Sequence, residues 1–180
     1  MKPIFISESS LASFFRFPLS RTNPFMSRRS RARAIVLQIL YQDDLNPTQP
    51  KDVKVQFVNS RLKNNHELVK FADGLIVGVR ENRDALDEKL SKIADNWRLS
   101  RMAATDRNVL RLGAYELLHT NTPPPVVINE AIELARRYGS DQSAQFVNGV
   151  LDRLLKRSKA SNAPSAAENP SSDSSTDASQ

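Results

Sequence analysis

Four arginines, Arg28, Arg29, Arg31 and Arg33, fall within six residues, directly ahead of the most apolar helical stretch of the chain. A guanidinium forks onto phosphate oxygens with two parallel hydrogen bonds, so the chemistry this cluster offers is phosphate binding. Its position works against the helix. A helix N-terminus carries partial positive charge, and each cation placed there costs roughly 0.3–1 kcal/mol. A polyanion outside the chain would offset that cost, and nucleic acid is the commonest polyanion. The alternative is a solvated leader that binds nothing. Arginines one and two apart fan around a helix start and can follow a bent strand. Such contacts supply affinity and salt dependence, not sequence choice.

Base recognition needs stacking platforms or base-edge donors and acceptors. Aromatic residues are scarce, and Tyr41, Trp97 and Phe146 are the candidates. Plain core packing competes for each of them. Other chemistry has few carriers. The chain has no cysteine, and its two histidines, His66 and His119, stand apart from any metal-ligand spacing. It has no Gly-rich phosphate loop, no HExxH, no CxxC and no GxSxG. Asp43-Asp44 and Asp87-Glu88 read as ordinary helix surface. The chain therefore reads as a non-enzyme, with no metal and no cofactor.

The charge distribution supports a basic arm. The 180 residues carry a net charge of +6. Residues 1–33 hold +6, residues 34–157 hold +2 and residues 158–180 hold −2. Residues 1–26 are rich in Ser, Phe, Pro and Arg, and admit two readings: a targeting segment, or an extension ahead of a true start at Met26. The second, or simple disorder, is preferred. No secretory signal is convincing, because the apolar run Leu11–Phe17 is broken by Arg16. Residues 158–180 form a polar, low-complexity tail expected to be disordered. No stretch approaches the roughly 20 apolar residues of a membrane span. A reducing, cytoplasmic setting fits the absence of cysteine.

Residues 27–157 read as a helical body. Apolar positions recur in steps of three and four, and no segment alternates with period two. The first helix covers 31–45 and is apolar around most of its circumference, as a core helix should be. Pro50 can open a second. A long third pattern runs from Leu68 to Trp97, with Asn82-Arg83-Asp84 able to bend it. Thr105-Asp106 can cap a fourth helix, and Pro123-Pro124-Pro125 should stop any helix. Gly139 suits a left-handed helix end, and Ser140 can cap the last helix. Gly74 and Gly78 form a GxxxG that suggests close helix approach, and Gly149 suggests that another helix or a ligand backbone comes near. The fold class is all-α, a compact bundle of about six or seven helices.

Four segments resemble the NusB family of transcription antitermination factors. They are Ser27–Arg33 with the apolar helix ending Leu40-Tyr41-Gln42, then Asp106–Leu117, Val127–Ala135 and Gln145–Asp152. The resemblance covers roughly Ser27 to Lys156, with the motifs in family order. It implies two packed helical sub-bundles. It implies a partner, the small-subunit ribosomal protein NusE, and a boxA-type single-stranded RNA in ribosomal RNA transcripts. NusA, NusG and RNA polymerase would complete the assembly, with a further role in ribosomal RNA maturation. Arg28 belongs to the same basic segment, and Arg29, Arg31 and Arg33 match the start that lies on RNA phosphates. Tyr41 and Phe146 match aromatics on the RNA side. Gln142 falls where a relative has an acid that tempers RNA affinity, so its amide would remove a repulsion. Asp106 falls at the start of the helix facing the protein partner. Two rivals remain. One is a helical domain of the kind that precedes ribosomal RNA cytosine methyltransferases, which would need a downstream catalytic domain. The other is a helical DNA-binding module, which would need a recognition helix.

Overall fold

The computed structural model describes residues 27–46, 51–93 and 101–161. They form seven helices: α1 (Arg28–Leu45), α2 (Lys51–Arg61), α3 (His66–Glu81), α4 (Arg83–Ser91), α5 (Ala104–His119), α6 (Pro124–Tyr138) and α7 (Ser143–Ser161). No strand occurs among the described residues. Helices α1, α2 and α3 pack on one another, as do α5, α6 and α7, and α4 bridges the two groups through α3, α5 and α7. These are the two sub-bundles that the sequence resemblance implies. Helix α5 is the axis of the whole, in contact with α1, α3, α4, α6 and α7. Residues 108–114 of α5 are buried without a break. They include Asn108, Arg111 and Gly113 beside Val109, Leu110, Leu112 and Ala114.

Local chemistry sets the helix ends. Ser27 caps α1, its side chain accepting from the Ser30 backbone N–H at 3.1 Å. Asn65 caps α3, its Oδ1 accepting from the Leu68 N–H at 3.1 Å. The long third pattern is two helices. Asn82 ends α3 by donating both its backbone N–H (3.1 Å) and its side-chain Nδ2 (2.8 Å) to the Gly78 carbonyl. The three prolines do not stop a helix; Pro124 opens α6, since the first-turn N–H groups have no intrahelical partner anyway. No side chain caps α5, which starts from Ala103, and Asp106 sits in its first turn. Gly139 is extended (φ −96°, ψ −165°), not left-handed. Helix α7 begins at Ser143, and the Ser140 N–H donates to Ser143 Oγ at 2.8 Å. It continues to Ser161, into the segment expected as tail. Residues 1–26, Pro47, Pro50, Trp97 and the tail from 162 lie outside the described residues.

Buried polar groups fasten α1 to α5 at both ends. At one end the Arg33 guanidinium forks onto Glu116, with Nε–Oε1 at 2.8 Å and Nη2–Oε2 at 2.6 Å. At the other, Asp44 accepts from Arg83 (2.7 Å), Arg107 (2.8 Å), Asn108 (3.0 Å) and Arg111 (3.1 Å). Arg111 extends this network to α4 by a fork onto Asp87 with both bonds at 2.7 Å, and Arg80 forks onto Asp43. Asp43, Asp44 and Asp87 are therefore not ordinary helix surface. Asp44 in particular is 4% exposed and sits where three helices meet. Of the four acids in those two pairs, Glu88 is the one that stays on the open surface, paired with Lys92.

Burial would push the Asp44 carboxyl up, but the hydrogen bonds and charges of Arg107, Arg111 and Asn108 overturn that and hold it below its ordinary value. A carboxyl depressed in the folded state contributes stability above its unfolded pKa and loses it as pH falls through the folded one. Chemical unfolding should show a stability plateau above about pH 5 and a decline below about pH 4. Asp44→Asn should flatten that decline.

The GxxxG pair is two different positions. A Cβ on Gly78 would run into the Tyr115 ring, whereas one on Gly74 would meet nothing within 4 Å. Gly78→Ala should cost about 1–3 kcal/mol by overpacking. Gly74→Ala should gain up to about 1 kcal/mol in urea unfolding, because an exposed mid-helix glycine loses only its entropy penalty.

Candidate nucleic-acid interface

Helix α1 opens with Arg28, Arg29 and Arg31 and has no acid in its first turn, unlike α3, α4 and α5, which carry Glu67, Asp84 and Asp106 there. The four arginines then separate into distinct roles. Arg28 and Arg29 are exposed, and neither has an ion pair or hydrogen bond among the described residues. Arg31 is half-buried and donates from Nη2 to the Arg61 carbonyl at 3.0 Å, closing the C-terminal end of α2. Arg33 corrects the sequence expectation. It is 3% exposed against 2% for Glu116, so its charge is spent inside the bundle and offers nothing to a phosphate. The local pattern hid this, because Arg33 lies one turn beyond Arg29 on the same side of α1, and only the approach of Glu116 from α5 sets the two apart.

Phe71 of α3 lies beneath this turn. The Arg29 and Arg33 guanidinium carbons stand 5.2 and 5.1 Å from its ring centroid. Cation–π contact of this kind is worth about 0.5–1 kcal/mol at exposed sites, and it holds Arg29 in place at the surface. Ser30 donates its hydroxyl to Glu130 Oε1 at 2.6 Å, tying the arm to α6. A cleft of about 380 Å³ opens between the α1 start and the α5–α6 link, lined by residues including Ser27, Arg29, Asn121, Val126 and Glu130.

The remaining expected residues lie elsewhere. Helices α1 and α5 run antiparallel, so Tyr41 sits 13 residues, about 20 Å, along α1 from Arg28. It is half-buried. Gln142 is exposed in the turn before α7, and Phe146 is half-buried against the core. Asp106 joins that end of the bundle, since its Oδ2 accepts from Ser143 Oγ at 2.9 Å. Its other oxygen, Oδ1, is buried without a hydrogen-bond partner among the described residues. The structure thus places the predicted residues at two ends of one bundle: the arm beside α6, and Tyr41, Asp106, Gln142 and Phe146 towards the start of α5. Gly149, expected to meet a neighbour, is exposed, and a Cβ there would meet nothing within 4 Å among the described residues.

Sequence reasoning missed Phe71, Glu130 and the Asp44 network. The spacing of Arg107, Asn108 and Arg111 was a usable signal, because i, i+1 and i+4 place three donors on one side of a helix. No group of His, Asp and Glu able to hold a metal ion occurs among the described residues. No described helix is long and apolar enough to cross a membrane.

This architecture, an all-helical bundle with a basic helix start on its rim, is that of a known class of small helical proteins. A sequence model of the NusB family matches residues 30–156, and the chain belongs to that family. The transcription antitermination protein NusB of Anaeromyxobacter dehalogenans strain 2CP-1 is 50% identical over 128 residues, which cover 71% of this chain and 90% of that protein. The NusB protein of Sorangium cellulosum is 45% identical over 132 residues, or 73% and 94% of the two chains. Among solved structures, T. maritima NusB is 37% identical with a TM-score of 0.64, covering 71% of this chain and 90% of that one. The NusB of a crystal structure of antitermination factors NusB and NusE with double-stranded RNA is similar at 26% identity and a TM-score of 0.66, covering 72% and 97%.

Because Arg33 is half of a buried pair, Arg33→Ala should cost about 3–5 kcal/mol of stability by leaving Glu116 uncompensated. Arg28→Ala should change stability by no more than about 0.5 kcal/mol. Guanidinium unfolding of the two variants checks both.

Proposed function

We propose that the protein is a non-catalytic transcription antitermination factor. It binds boxA-type single-stranded RNA of ribosomal RNA transcripts together with the ribosomal protein NusE. With NusA and NusG it helps to hold RNA polymerase in a termination-resistant state in the cytoplasm, and it supports ribosomal RNA maturation. The observation that carries this reading is the pair of exposed guanidinium groups at the start of α1, Arg28 and Arg29, unmatched by any carboxylate among the described residues. Their repulsion with the helix dipole is uncompensated within the described chain, and phosphate would reverse it. Membership of the NusB family supports the same reading, as does the fold shared with a NusB crystallised with NusE and RNA.

The residues proposed for RNA are Arg28 and Arg29, with Arg31 at the edge. Tyr41, Gln142 and Phe146 would form a second contact further along the bundle. Two separated contacts suit an extended strand better than a compact ligand. Gln142 is exposed and uncharged, so it would not repel a passing phosphate. Asp106 is proposed for the protein partner on the strength of its place at the start of α5, where its Oδ2 is held by Ser143 Oγ at 2.9 Å.

Titration of a boxA-type leader RNA, with and without NusE, tests the proposal. The double variant Arg28→Ala, Arg29→Ala should weaken binding by about 1–3 kcal/mol in total and flatten its dependence on salt. Equal affinity at every salt concentration would remove the arm from the interface.

A further inference from the structure

The cleft beside the arm carries an arrangement that phosphate binding alone does not explain. Its walls hold two guanidinium groups, Arg29 and Arg33, and one carboxylate, Glu130, which pairs only loosely with Arg33 and not with Arg29. Arg29 has no carboxylate partner among the described residues. Glu130 is 18% exposed, and its nearest cation is Arg33, with Nη1 and Oε2 3.9 Å apart. The Arg33 fork is already taken by Glu116 at 2.8 and 2.6 Å. One buried guanidinium therefore faces two carboxylates, and Glu130 holds the leftover negative charge. Its Oε1 accepts from Ser30 at 2.6 Å, while Oε2 accepts no hydrogen bond among the described residues. Asn121, on the opposite lip, is exposed, and its amide has no partner there either.

A carboxylate in a site built only for phosphate would repel its ligand. A carboxylate beside a phosphate-binding arginine suits a ligand that brings both an anion and an N–H donor. A ribonucleotide does so when its base carries an exocyclic amino group. Carboxylates accept from such groups at base edges, as Glu and Asp do from the cytosine amino group. Single-stranded RNA exposes those edges by splaying bases out. The volume, about 380 Å³, lies at the small end of the roughly 300–1,000 Å³ of small-ligand clefts, which suits one nucleotide. Val126, 45% exposed, supplies an apolar wall on which a base can lie.

We infer that this cleft is a single-nucleotide pocket that selects a base with an exocyclic amino group, such as cytosine or adenine, over uracil, with Arg29 on the phosphate, Glu130 on the amino group and Asn121 on a neighbouring edge atom. The inference rests on the RNA-binding reading above and adds a base preference to it.

The test uses the full chain and eight-nucleotide single-stranded oligo(C), oligo(A) and oligo(U), titrated by fluorescence anisotropy at several salt concentrations. The native protein should bind oligo(C) or oligo(A) about tenfold more tightly than oligo(U), the low end of what one good edge contact discriminates. Glu130→Gln should erase or invert that ratio, because an amide can present a donor to the uracil carbonyl, while leaving the salt dependence unchanged. Asn121→Ala alters an exposed, unpartnered side chain and so keeps the fold. It should weaken oligo(C) and oligo(A) binding several-fold and leave oligo(U) unaffected. Equal affinity for all three oligonucleotides, or a ratio that survives both variants, overturns the pocket while salt-dependent binding of leader RNA leaves the parent reading intact. Loss of NusE binding in Asn121→Ala with the base ratio intact assigns the cleft to a protein and also overturns it. Absence of binding to any RNA removes both readings together.

Discussion

The register of α1 against α5 is the constraint on which everything else rests. Two polar fastenings lie 11 residues apart on α1, Arg33 on Glu116 and Asp44 on the Arg107–Asn108–Arg111 face. Apolar packing between the two helices is non-directional, and a slip of one turn would cost it little. A buried guanidinium parted from its carboxylate costs several kcal/mol, so the polar ends forbid the slip that the apolar middle tolerates. Asp44 also reaches Arg83, and Arg111 reaches Asp87, so the same network fixes α4. The position of the α1 start on the rim follows from these contacts.

That start is presented by restraint as much as by exposure. Ser27 caps the first turn, Arg31 closes α2, Ser30 binds Glu130 and Phe71 lies under Arg29. A flexible arm would lose conformational freedom on binding a strand, at about 2 kcal/mol for each long side chain at most. Here much of that ordering has been done within the fold. The basic segment is better described as the first turn of a packed helix than as a tail that condenses on its ligand.

The all-α class, the two sub-bundles and the identity of the basic segment could be read from the chain. Period-3.6 patterning and four family-like strings are local signals, and local signals survive in one dimension. The division of labour among the arginines could not be read. Arg29 and Arg33 look equivalent in sequence, and only the approach of α5 turns one into a core residue. Asp43-Asp44 failed for the same reason: a carboxylate at the end of an apolar helix looks like surface until arginines from α3, α4 and α5 arrive. Pro124 shows the opposite error, a residue read as a stop where its missing N–H makes it a good start. Glu130 sat in a segment whose charge order already agreed with the helix dipole, so nothing flagged its approach to Arg33, distant in the chain, or to Ser30.

Helix α5 is encircled, and this bears on how the molecule opens. Its amide hydrogens are covered by five neighbours, so solvent exchange at its centre requires the bundle to come apart as a unit. Helix α2 is peripheral, packing chiefly on α1 and α3. It holds the Arg61 carbonyl that anchors Arg31, so any loosening of α2 would release the donors of a third guanidinium at the rim. The Arg31 charge itself is constant; what this peripheral helix sets is where that charge is held and which of its donors are left free.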